Sequence, residues 1–178
     1  MYAEYLLIAT PLLPLLLALI VPLLRSGHIM MLAPLTALSA ALLIPVNNSV
    51  YMPWLMQGVY WKLDTISQLF LIFSALIWLV TTLYVVYGRD ALTKRVIYRC
   101  LFMLAMAGNM LLIVAADMIS FYLGFAMMGL SAYGILLRPS QRARRAARIY
   151  LGFTLVGELA LFIAMLILFS STNSMLFT

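Results

Sequence analysis

The side chains that could do chemistry here are ionisable or strongly polar groups set inside long apolar runs, and there are few of them. Glu158 lies near the middle of one such run, in Gly152-Phe-Thr-Leu-Val-Gly157-Glu158-Leu-Ala. A charged group at that depth costs about 2.5 to 3.5 kcal/mol on insertion scales, so a carboxyl kept there reads first as a group that passes a proton or cation. The structural alternative is a pair with a basic or polar side chain of a neighbouring helix. Asn109, in another run, can hydrogen-bond across a helix contact or hold water in a hydrated path. Asp117 separates two runs and is the third candidate for an ion path, although capping a helix is the default for an Asp so placed. Asp64, in Leu63-Asp64-Thr65-Ile66-Ser67, reads as a cap, with Ser67 in the turn it closes. Arg142, Arg144, Arg145 and Arg148 form a basic run suited to anionic lipid headgroups or to an acidic partner surface.

Other chemistries find no support in the residues. His28 is the single histidine and Cys100 the single cysteine, so neither a metal-ligand spacing nor an internal disulfide is available. No glycine-rich loop cradles phosphate and no nucleophile has a base at a useful spacing. The sequence therefore assigns no catalytic residue, no metal and no cofactor, and the chain is not expected to be an enzyme by itself. The 13 methionines read as packing or lipid-facing residues.

The elements that must hold these groups follow from composition. Of the 178 residues, 66% are hydrophobic and 9% charged, which leaves too little polar surface for a soluble fold. About 20 apolar residues make one bilayer crossing. Six runs qualify, at about residues 5–24, 28–46, 65–87, 99–116, 118–137 and 149–169. The first holds Pro11, Pro14 and Pro22, and because Met1 to Leu7 lacks basic residues and carries Glu4, it reads as a retained helix. The longest connection, 47–63, gathers Tyr51, Trp54, Tyr60 and Trp61 and reads as an aromatic belt at the outer interface. Ala116, Ser120 and Gly124 recur every four residues, giving the fifth helix a face of small side chains on which another helix can close.

The net charge of +6 points to topology and not to nucleic acid. Arg25 lies in the first connection; Arg89, Lys94, Arg95 and Arg99 in the third; Arg138 and the four arginines of the basic run in the fifth. Of the 11 basic residues, only Lys62 falls elsewhere. Since Lys and Arg mark the cytoplasmic side, the expectation is an all-α, polytopic bundle of six transmembrane helices forming one membrane domain, with both termini non-cytoplasmic.

Several of these segments, taken together, resemble a known family. Leu63-Asp64-Thr-Ile-Ser67 opening the third helix, Tyr84 near its end, and Ala116-Asp117-Met-Ile-Ser-Phe-Tyr-Leu-Gly-Phe-Ala-Met-Met-Gly-Leu-Ser-Ala-Tyr133 are similar to the antiporter-like subunits of respiratory complex I, Mrp cation/proton antiporters and membrane-bound hydrogenases. Val156-Gly157-Glu158 resembles the Val-Gly-Asp pattern of the family's sixth helix. The resemblance is to the N-terminal six helices of a larger fold. It departs at Ala126, where the family places a membrane-embedded glutamate on the fifth helix, and no lysine lies in any apolar run.

The resemblance implies a multi-pass protein of the bacterial plasma membrane whose partners are other integral membrane subunits and anionic lipids. It implies a non-catalytic subunit of a proton- or cation-translocating, energy-coupling complex. Two other readings stay open: a proton channel or antiporter working through Glu158 after oligomerisation, and a membrane subunit of an ion-driven inorganic-carbon uptake complex.

Overall fold

The computed structural model describes residues 2–23, 27–55, 58–88, 91, 93–137, 140–172 and 176. Arg25, Arg89 and Arg138, three of the loop residues that orient the chain, lie outside them. In chain order the elements are α1 (Tyr2–Ile20), a 3-10 turn (His28–Met31), α2 (Leu32–Leu43), β1 (Asn48–Met52), β2 (Val59–Leu63), α3 (Thr65–Tyr87), α4 (Val96–Val114), α5 (Met118–Leu136) and α6 (Gln141–Thr172). Among the described residues, five helices are long and apolar enough to cross a membrane. The protein is a multi-pass membrane protein.

The second run gives the shortest apolar helix among the described residues. Its α-helix has 12 residues, and with the 3-10 turn before it the apolar helix runs His28–Leu43, a rise of about 26 Å against a hydrocarbon core of about 30 Å. Proline stops it: Ile44, the residue before Pro45, is extended at φ −81°, ψ 129°, as that position favours. Pro45 also has no N–H for the Ala41 carbonyl one turn back. Gln68 of α3 supplies the missing donor, its Nε2 donating to Ala41 O at 2.7 Å.

The connection after α2 is a β-hairpin and not a plain loop. Asn48 pairs with Leu63 and Met52 with Val59, antiparallel. Val59, Trp61 and Leu63 are buried while Tyr60 and Lys62 between them are half-buried, the two-residue period of a strand with one covered face. Only part of the expected aromatic belt is realised. Tyr51 and Trp54 are exposed, but Trp61 turns inward and is buried in the bundle.

α6 begins at Gln141, earlier than its apolar run, because Ser140 caps it: Ala143 N donates to Ser140 Oγ at 3.1 Å. Its 32 residues rise about 48 Å, so the first turns, with Arg142, Arg144, Arg145 and Arg148 exposed, extend past the hydrocarbon. The most enclosed helix is α4, whose Met103, Met106 and Met110 are fully buried against α1 and α5. α5 lies between α4 and α6, and α6 rests chiefly on α5. The outer side of α6, with Phe153, Val156, Leu159 and Ile167, is exposed.

The two ends of the bundle differ in charge. At one end Gly27 abuts the Arg99 guanidinium, His28 meets Tyr87 at 5.4 Å, and Lys94 and Arg95 precede α4. The hairpin, Asp117 and Leu176 gather at the other end, with Lys62 as the basic residue.

Candidate site at the α5–α6 seam

Glu158 is 8% exposed, and its Oε1 is buried without a hydrogen-bond partner. α6 presents it to α5 at Gly129. A Cβ built on Gly129 would stand 3.3 Å from Glu158 Oε1 and 2.7 Å from Thr154 Cγ2, so the absence of a side chain at 129 makes the recess in which the carboxyl sits. Tyr122 and Phe162 touch further along the seam, ring centroids 5.7 Å apart. These contacts run antiparallel, and their register puts Ala126 across from Glu158. Ala126 is also three residues from Gly129, on the same face of α5. The carboxyl on α6 and the alanine on α5 thus belong to one seam. The other buried oxygen without a partner among the described residues, Ser131 Oγ, is two residues past Gly129 and points to a different side of α5.

Asn109 faces the opposite side of the core. Its Oδ1 accepts from Ser74 Oγ and Trp78 Nε1 of α3, both at 2.9 Å, and its Nδ2 meets Met128 Sδ of α5 at 3.8 Å. One amide ties α3, α4 and α5 together at the level where hydrocarbon supplies no other donor. An open groove of about 310 Å³ runs beside it, lined by Ser67, Phe70, Ser74, Asn109, Leu112 and Ile113.

Asp117 is a latch. Its Oδ1 accepts from Ser120 N at 2.8 Å, capping α5, and its Oδ2 accepts from Tyr60 N of β2 at 2.9 Å. Ala116 N donates to Tyr60 O at 2.9 Å, and Trp61 Nε1 donates to Ser120 Oγ at 3.0 Å. The hairpin is stitched onto the α4–α5 corner by three hydrogen bonds beside the capping carboxylate. Asp64 has the simpler task of capping α3, accepting from Ser67 N at 2.8 Å. The Ser67 amide holds its carboxyl below the usual carboxylate range, with Lys62 adding to the effect. That cap is therefore complete at neutral pH and fades only as the pH falls through the lowered value.

The three sequence candidates for an ion path do not form one relay. Asp117 is committed to backbone amides at the end of the bundle, Asn109 to the α3 contact, and Glu158 alone is without a partner. Among the described residues no cluster of His, Cys, Asp or Glu could hold a metal ion.

Residues 115–178, which carry α5, α6 and this seam, match the family of NADH:quinone oxidoreductase and Mrp antiporter membrane subunits. This stretch is similar to antiporter-like membrane subunits. The fold agrees over nearly the whole length of the chain. It is similar to a chain in the structure of the Mrp complex from Dietzia sp. DQ12-45-1b, at 20% identity and a TM-score of 0.84, over 96% of this chain and 20% of that one. It is also similar to a chain of the membrane-bound sulfane sulfur reductase, an archaeal respiratory membrane complex, at 17% identity and a TM-score of 0.75, over 98% of this chain and 29% of that one. No curated protein matches it. The chain thus spans between a fifth and a third of the length of these two chains.

Within the chain, the latch yields a direct prediction. Asp117→Ala leaves the Tyr60 and Ser120 amides without acceptors in a site that is 1% exposed, a loss of about 1 to 3 kcal/mol for each. The variant is expected to melt well below wild type and to release the hairpin, read as increased quenching of Trp61 by acrylamide. Unchanged melting and quenching would remove Asp117 from the latch. Sequence reasoning could have found this arrangement only from the alternation of Val59, Trp61 and Leu63, which marks a strand needing a surface to cover it.

Proposed function

We propose that this chain is an antiporter-like subunit that serves, without catalysing a reaction itself, in a multi-subunit proton- or cation-translocating complex that couples energy, and that Glu158 is the group through which it touches the moving ion. The observation that carries this reading is the Glu158 carboxyl, nine-tenths buried in a membrane helix with one oxygen unpartnered. A carboxyl placed only to hold this chain's own helices together would have its partner inside the bundle, because an unmet polar group in hydrocarbon is costly. Here the recess at Gly129 accommodates the group without bonding it. The exposed apolar side of α6 adds a surface suited to neighbouring membrane helices, in keeping with the Mrp and sulfane sulfur reductase structures, whose similar chains belong to membrane complexes.

The basic end of the bundle is assigned to the cytoplasm and the termini to the other side, since Lys94, Arg95, Arg99 and the α6 arginines share one end. Purification in mild detergent is expected to recover further integral membrane chains with the subunit. Cysteines introduced at Phe153 or Val156 on the outer side of α6 are expected to crosslink to one of them. A stable monomer with no associated membrane chain would overturn the proposal.

A further inference from the structure

The basic end of α4 and α5 holds a groove that the ion-path reading leaves unused. Its volume is about 530 Å³, and it is lined by Lys94 and Arg95 at the mouth and by Tyr98, Leu101, Ile135 and Leu137 along the walls, with Gly134 in its floor. Lys94 and Arg95 are exposed just before the first turn of α4. Their level is that of the headgroups, because the helix below them enters the hydrocarbon at once with Val96 and Ile97. The carboxylates Asp64 and Asp117 lie at the far end of the bundle and Glu158 in the middle of α6, so none of them neutralises the mouth. Asp90, in the same connection, lies outside the described residues.

Two cations above an apolar trough that descends along a helix pair have the layout of an amphiphile with a negative head. We propose that this groove binds one phospholipid with an anionic headgroup, the phosphate resting on Lys94 and Arg95 and one acyl chain running over Tyr98, Leu101 and Gly134. Gly134 is needed for the chain, since a Cβ there would approach Leu101 Cδ1 to 2.6 Å and narrow the floor. The arginines of α6 are exposed and do not line this groove. The site does not depend on whether Glu158 conducts.

Native mass spectrometry of the full chain, in detergent doped with equal phosphatidylglycerol and phosphatidylcholine, tests the assignment. Wild type is expected to keep one phosphatidylglycerol in preference to phosphatidylcholine. Lys94→Gln with Arg95→Gln is expected to lower that preference about tenfold, since each basic residue near an anionic headgroup contributes to its retention. Both side chains are exposed, so the variant keeps its fold, checked by circular dichroism. Gly134→Ile keeps the charges, fills the floor, and is expected to lose the bound lipid too. Neutralising Arg142, Arg144, Arg145 and Arg148 together is expected to leave this lipid in place. Retention that follows the α6 arginines, or that survives both Lys94→Gln/Arg95→Gln and Gly134→Ile, would overturn the proposal. So would a zero-length crosslink from Lys94 to an acidic segment of a partner chain in the native complex.

Discussion

Glu158→Gln is expected to lower proton or cation flux through the assembled complex by about tenfold or more, with assembly and thermal stability unchanged or improved. Glutamine has nearly the same shape, so it fits the recess at Gly129 that now holds the carboxyl. It cannot release a proton, and it leaves no ionisable group at that depth in hydrocarbon. The split between the two readouts is what decides the role. A purely structural carboxyl, bonded to a partner subunit, would give the reverse pattern, with assembly weakened and flux per assembled complex retained. The seam offers a second arm to the experiment. Because the antiparallel contacts of Tyr122 with Phe162 and of Gly129 with Thr154 place Ala126 across from residue 158, Ala126→Glu in the Glu158→Gln background returns a carboxyl from the other helix. Partial recovery of flux in that double variant is expected if position in the seam matters more than which helix carries the acid. Full flux in Glu158→Gln alone would take the residue out of the path.

What could be read from the sequence and what could not divides along physical lines. Apolar length and the sidedness of basic residues are properties of single segments, and they located α1, α3, α4 and α5 within a few residues, together with the odd carboxyl in α6. The caps Asp64 and Asp117 were legible for the same reason, since a side chain three residues from the amide it accepts is a local matter. Local signals also existed where the reading went astray: Pro45 ends α2, and Ser140 starts α6 before its apolar run. Pairings between distant segments left no such trace. Nothing in Asn109 announces that Ser74 and Trp78 will donate to it, nothing in Asp117 that Tyr60 will, and nothing in Gly129 that Glu158 will lie over it. Such contacts are set by helix order and rotation, which composition does not encode.

The four-residue spacing of small side chains on α5 is where a local signal and a distant contact meet. Ala116, Ser120 and Gly124 mark a face made for close approach, and the partner proves to be Gly108 of α4, just before Asn109. A Cβ on Gly108 would stand 2.7 Å from Gly124 O and from Met128 N, and one on Gly124 would stand 2.8 Å from Gly108 O and 2.9 Å from Leu112 N. Backbone meets backbone there, so no side chain can swing aside to make room. Gly108→Ala or Gly124→Ala must push the helices apart, at about 1 to 3 kcal/mol each. The displacement would also stretch the Asn109 contact to Met128 and the Trp61 bond to Ser120, and it would carry α6 with α5. Each variant is therefore expected to melt lower than wild type in detergent, followed by tryptophan fluorescence. Gly157→Ala is the control, since nothing lies within 4 Å of its added methyl, and it is expected to melt with wild type or slightly above it. The double variant adds a sharper condition. Both methyls strain the same crossing, and once one has opened it the other meets less resistance, so their costs should sum to less than additive. Strict additivity, or a Gly108→Ala melt equal to that of Gly157→Ala, would mean that α4 and α5 do not cross at these glycines.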